Sequence, residues 1–128
     1  MNLSNIVSVL GNYNNIPTKI NSDKLIVTMI DGLKVTMTAD KMVWADGLLT
    51  YTIVINNNTD LSYVAPVITD VIDTSMVSFV NESVTIDGVK ADNSKYSYEE
   101  ASGTLTINLD DIASSKNTTI TFQVSKKA

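Results

Sequence analysis

Short runs in which apolar and polar residues alternate, separated by clusters of Asn, Asp and Gly, constrain this chain more than any other feature. In Leu49 to Asn56, Leu49, Tyr51, Ile53 and Ile55 share one face while Thr50, Thr52 and Asn56 share the other. Leu105, Ile107 and Leu109 oppose Thr104, Thr106 and Asn108, and the last run turns Ile120, Phe122 and Val124 to one side. Val84 and Ile86 alternate with Thr85 and Asp87, and Gly88 closes that segment. A period of two is the signature of a strand with one buried and one solvated face. Asn56-Asn57-Asn58-Thr59-Asp60 reads as a turn. About seven such strands, with turns at spacings of roughly ten residues, predict an all-β fold: an immunoglobulin-like antiparallel β-sandwich.

Other segments are less regular. Lys24 to Ile30 is a strand candidate with almost no polar face. Asp31-Gly32 follows it and either makes a tight hairpin into the strand Leu33 to Thr38 or acts as a joint. Val64 to Ile72 is a strand around Pro66, which suggests an edge position or a strand start. Tyr96 to Tyr98 is a short strand. The first residues differ: Asn2 to Asp23 is rich in Asn and Ser, and Leu3, Ile6, Val7 and Leu10 fall at helical spacing although Ile and Val favour strands. Residues 1–30 are therefore read as an N-terminal arm, and 31–128 as the sandwich.

Composition narrows the chemistry. The chain of 128 residues is 44% hydrophobic, enough for one domain with a real core. It has no Cys and no His, and all nine of its basic residues are Lys. A net charge of −5 and the lack of any guanidinium argue against nucleic acid as a partner. No disulfide framework is available, so stability rests on packing or on another crosslink. The start of the chain shows neither a secretory signal nor a membrane span.

Six segments in order carry a resemblance: Thr38-Ala39-Asp40, Leu49 to Asn57, Ile68 to Asp73, Phe79 to Gly88, Gly103 to Leu109, and Thr119 to Val124. Together, over about Leu33 to Lys127, they resemble the bacterial conserved repeat domain, an immunoglobulin-like domain of surface proteins with no known function. Lys41 stands where that family often has Pro, and the turn at Asn58-Thr59-Asp60 lacks the usual Gly. Family members are commonly tandem copies on exported chains. A single copy without a visible export signal is similar to subunits of clostridial spore appendages. That resemblance implies synthesis in the mother-cell cytoplasm and a final place on a spore or cell surface.

Catalysis has little to draw on. Without His or Cys, no Ser-His-Asp or Cys-His site can form. The carboxylate pairs Asp70/Asp73, Asp110/Asp111 and Glu99/Glu100 lack the aromatic walls that a glycosidase cleft needs. The reading is that the chain is not an enzyme and binds no cofactor. Asp46, Asp60, Asp70 and Asp73, with Asn56 to Asn58, offer oxygen ligands for a structural calcium, but at no EF-hand spacing; Asp and Asn equally mark sandwich turns. An internal Lys–Asn isopeptide bond would need both groups on adjacent strands beside a neutral carboxylic acid. Lys34 with Asn108 or Asn117 is the nearest arrangement, although Lys34 falls on the polar face. Trp44 reads as a plug at the end of the sandwich more readily than as a binding platform.

The arm is the strongest functional candidate. A sandwich has open edges, and an extended segment of another copy can add a strand there through main-chain hydrogen bonds. Leu3, Ile6, Val7 and Leu10, together with Leu25, Ile26, Val27, Thr28, Met29 and Ile30, are the candidate subunit-interface residues. A contact in which each copy gives and receives is head-to-tail and yields a filament. The expectation is a non-enzymatic subunit of a surface or spore appendage fibre. The alternatives are an adhesin-like or ligand-binding module, or an accessory domain of a larger protein; for the arm itself, the alternatives are that it folds back on its own domain or is disordered.

Overall fold

The computed structural model describes residues 6–21, 32–41 and 47–127. They contain no helix and form two packed antiparallel sheets, an immunoglobulin-like β-sandwich. In chain order the strands are β1 (Ile6–Tyr13), β2 (Ile16–Asn21), β3 (Leu33–Ala39), β4 (Leu48–Asn57), β5 (Val64–Val71) and β6 (Val77–Phe79). They continue with β7 (Thr85–Ile86), β8 (Val89–Lys90), β9 (Tyr96–Glu99), β10 (Thr104–Asn108) and β11 (Lys116–Lys126). Among the described residues one sheet runs β2-β1-β5-β10-β9, and the other β3-β4-β11-β7-β8, with β6 also on β11.

The alternation read from sequence is realised in the long strands. Ile53, Ile55, Ile107, Ile120, Phe122 and Val124 have no exposed surface. Tyr51 and Phe122 pack with ring centroids 5.3 Å apart, and Phe79 continues the aromatic layer to Tyr98 at 4.8 Å. Each fully buried aliphatic or aromatic side chain contributes about 1.5–3 kcal/mol, so this layer supplies the main cohesion between the sheets.

The neighbours reproduce a known scheme. In an immunoglobulin sandwich one sheet is A-B-E-D and the other C-F-G. Here β3-β4-β11-β6 stand as A-B-E-D, and β5-β1-β2 as C-F-G, with β10 and β9 continuing the second sheet beyond β5. The F and G positions are thus filled from the start of the chain, and the described chain leaves the fold from E.

This corrects the division of the chain at residue 30. Residues 6–21 are not an arm outside the sandwich but two of its strands, with β1 between β2 and β5. The helical spacing of Ile6, Val7 and Leu10 was accidental. Val7 and Val9 are fully buried while Leu10 is half exposed, which is the period of a strand. The two-residue turn Asn14-Asn15 has φ of 51° and 61°, the left-handed pair of a type I′ hairpin, which Asn tolerates. Leu3 and Leu25 to Ile30 lie outside the described residues, as do Asp31, Trp44 and the strand expected over Lys24 to Ile30.

β5 is central rather than at an edge, and Pro66 lies near its start. Leu10 pairs with Val67 and Asn12 with Val64, so Ala65 and Pro66 together face Gly11. This bulge leaves Pro66, which has no N–H to give, out of the ladder. The N–H of Ala65 donates instead to Asp111 Oδ1 at 2.8 Å.

The strands define two ends. At the upper end lie the Asn14-Asn15 turn, the start of β3, the β4–β5 connection and the β10–β11 connection. There Asn58 N donates to Gly32 O at 2.8 Å, and Tyr63 and Ile112 form a bridge. At the lower end lie Ile6, Asn21, the end of β5 and the end of β11, where Lys127 N donates to Met76 O at 3.0 Å.

Candidate functional site

The best-defined site is the slot that holds the N-terminal hairpin, β1 with β2. On one side β1 pairs with β5 from Ile6↔Val71 to Asn12↔Val64. Below it, Val7, Val9, Thr18 and Ile20 enter the core. Deleting the hairpin would uncover the inner residue Ile68 and leave the free edge of β5, a row of unpaired backbone groups.

Tyr63 clamps the hairpin from the β4–β5 connection. Its ring is fully buried, and its hydroxyl lies 2.7 Å from Thr18 O and 3.1 Å from Val9 O, reaching both strands. The ring occupies the space that a side chain at position 11 would fill. Glycine in a strand marks such a close approach. Burial pushes the Tyr63 phenol well above its usual range.

Tyr63 is itself held by a polar knot around Asn57, which has no exposed surface. Asn57 Nδ2 lies 2.8 Å from both Leu61 O and Ile112 O, while Oδ1 accepts from Thr59 N at 3.1 Å and the Thr59 hydroxyl at 2.6 Å. These bonds satisfy the irregular backbone where the chain crosses between sheets. From the sequence the Asn-rich stretch reads as a turn or a source of calcium ligands; Tyr63, Gly11, Thr18 and Asn57 are not legible there as one assembly. Gly11 within an otherwise alternating run was the available signal.

The other sequence candidates are not brought together. Lys34 is exposed on β3, opposite Asn56, and Asn117 on β11 is the next strand beyond Asn56, so two strand spacings, roughly 10 Å, separate Lys34 from Asn117. Asn108 lies on the other sheet. Of the carboxylates weighed for calcium or catalysis, Asp60 is exposed at the upper end and Asp73 serves the lower end, accepting Ser75 N at 3.1 Å. Asp110 faces Lys95 at 3.3 Å, and Asp111 holds the bulge. Asp46 lies outside the described residues.

Asp70 is the buried carboxyl among the described residues. It is fully buried on the core face of β5, in register with Val7 and Leu105. Burial, and secondarily its charge, pushes the Tyr51 phenol upward. At the lower end, Asp40 Oδ1 accepts Thr50 N at 2.9 Å, a bond that holds this carboxyl below the usual range. A groove of about 640 Å³ between β6 and β9 is lined by Phe79, Tyr98, Glu100 and Lys127 among others. It is wide and polar-walled, with no convergent set of polar groups of the kind that orients a small ligand.

Compared with protein-family models and with curated proteins, the chain matches none.

Proposed function

We propose that this protein is a non-enzymatic structural subunit that assembles head to tail with further copies of itself, building an appendage fibre on a spore or cell surface. One observation carries the reading: the N-terminal hairpin, residues 6–21, completes a sheet at β5 rather than forming a unit of its own. An element that the rest of the sandwich needs to cover the edge of β5 is of a kind that can also bind a neighbour. Heterologous contacts of this type do not close and so extend into filaments. The outer faces of β4 and β11, carrying Thr50, Thr52, Thr119 and Thr121, suit a hydrated fibre surface.

Electron microscopy of the purified full-length chain over a range of concentrations tests the reading. Filaments of uniform width are expected. Persistent monomers at all concentrations, with the sheet fold intact by circular dichroism, would overturn it.

A further inference from the structure

We infer that the free edge of β9 recognises itself: it pairs antiparallel with β9 of a second copy of this chain, across a two-fold axis at Ser97. The contact is distinct from the head-to-tail assembly above and does not depend on it.

β9 is the last strand of its sheet and pairs only with β10 among the described residues. The ladder decides which of its backbone groups are free. Asn108 N donates to Lys95 O at 2.7 Å, so Lys95 bonds toward β10. By the alternation of an antiparallel pair, Ser97 and Glu99 do the same. The N–H and C=O groups of Tyr96 and Tyr98 therefore point away from the sheet, and no described residue bonds to them.

The opposite edge of this sheet is guarded. The Asn14-Asn15 turn sets Tyr13 opposite Ile16 as its closing hydrogen-bonded pair. The next pair turns the nitrogen of Pro17 outward, and that nitrogen has no hydrogen to give. Proline on an edge blocks strand addition; β9 carries none.

The residues of the β9 edge are complementary to themselves. Lys95-Tyr96-Ser97-Tyr98-Glu99 reads Lys-Tyr-Ser-Tyr-Glu forward and Glu-Tyr-Ser-Tyr-Lys backward. Laid antiparallel with Ser97 opposite Ser97, each Tyr96 meets the partner's Tyr98, and each Lys95 meets the partner's Glu99. The tyrosine pairs are then the hydrogen-bonded ones and supply four bonds between the strands. Registers centred on Tyr96 or Tyr98 keep one tyrosine pair and set no opposite charges together. Opposite charges directly across an antiparallel pair stabilise it, and like charges do the reverse.

The side chains leave room for the approach. Ser97 and Glu99 are exposed, and Lys95 is half exposed where it meets Asp110 at 3.3 Å. Tyr96 and Tyr98 turn inward, against Phe79. The groove between β6 and β9 keeps this side of the sandwich open. Because the contact is isologous, it closes on two copies, and within a fibre it would join two fibres side by side.

The native chain has no Cys, so one cysteine on the axis reports the contact. Ser97 opposite Ser97 is a non-hydrogen-bonded pair, with Cα atoms about 4.5 Å apart and within disulfide reach. Full-length S97C, oxidised mildly and run denatured without reductant, should give a dimer band. N108C, exposed on β10, is the control and should stay monomeric under the same conditions. Sedimentation equilibrium reads the pairing without a crosslink. K95E and E99K, each shown to be folded by circular dichroism, should each weaken dimerisation about tenfold, since two like-charge pairs replace two attractive ones. An equimolar mixture of K95E and E99K chains should recover the wild-type association, because their charges are again opposed. S97C that crosslinks no faster than N108C, or a mixture that associates no better than either variant alone, would overturn the inference.

Discussion

Gly11 and Tyr63 share one volume: a Cβ on Gly11 would stand 2.6 Å from Cε1 of Tyr63. The bare backbone at position 11 lets the ring lie flat against β1, and that position brings the Tyr63 hydroxyl to carbonyls on both hairpin strands. The pair therefore sets the register of the hairpin in its slot, since a one-residue slip would drive a side chain into the ring.

Gly11→Ala should destabilise the fold by about 1–3 kcal/mol, the usual cost of forcing atoms into a filled core. Tyr63→Phe keeps the ring but removes the one O–H donor that Thr18 O and Val9 O share, at about 1–3 kcal/mol. Urea denaturation measures both. If the two residues act as one lock, Gly11→Ala combined with Tyr63→Leu should cost less than the sum of the single changes.

Asn57→Asp tests the polar knot that carries Tyr63. The new carboxylate would put oxygen where Nδ2 now faces Leu61 O and Ile112 O. Repulsion and burial raise the folded pKa of that Asp above its unfolded value of about 3.9. A raised acid is most favourable to the folded state when protonated. The variant should therefore be destabilised by more than about 2 kcal/mol at neutral pH and recover part of the loss toward pH 4. Equal deficits at both pH values in urea titrations would exclude this account.

The alternating strands were legible because one face of each is buried and the other wet, as at Leu49 to Ile55 and Ile120 to Val124. Type I′ chemistry was legible where glycine marks it, as at Gly88; the expectation at Asp31-Gly32 rests on Asp31, which lies outside the described residues. Asp87-Gly88 makes the tight turn between β7 and β8, with φ of 50° and 83°. Asn14-Asn15 makes another without glycine, which hid the hairpin. Short-range patterns also could not show that β1 inserts beside β5. That pairing is fixed by partners more than fifty residues away, Ile68 and Tyr63, and by the match of Gly11 to one ring. Asp70 was not legible as a core residue, because its inward place follows from strand parity with Ile68 and Ile72 and against its polarity.

Alkali should unfold the protein cooperatively. Burial raises the phenols of Tyr51, Tyr63 and Tyr98, with Asp70 and Glu100 adding to the first and last. A tyrosine whose folded pKa exceeds its unfolded value of about 10 stays protonated in the fold after the unfolded chain would ionise. The stability it confers is full below that pH and is lost as pH rises above it. Phenolate absorbance should thus rise in one phase for the accessible tyrosines and in a later phase coincident with loss of the sheet signal. A single early phase without unfolding would contradict the burial of Tyr63.

Gly103 and Gly88 separate backbone strain from crowding. Both have left-handed φ, 72° and 83°. A Cβ at Gly103 would lie 2.5 Å from Ile72 O, while one at Gly88 would meet nothing within 4 Å. The approach at Gly103 is fixed by Ile72 N donating to Gly103 O at 2.7 Å, where β5 leaves the sheet. Gly88→Ala should cost only the conformational penalty, about 1–2 kcal/mol. Gly103→Ala adds a clash with backbone that no rotamer relieves, and should cost about 2 kcal/mol more. Thermal melts of the two variants side by side decide the matter, because equal shifts would mean that the contact at Ile72 relaxes freely.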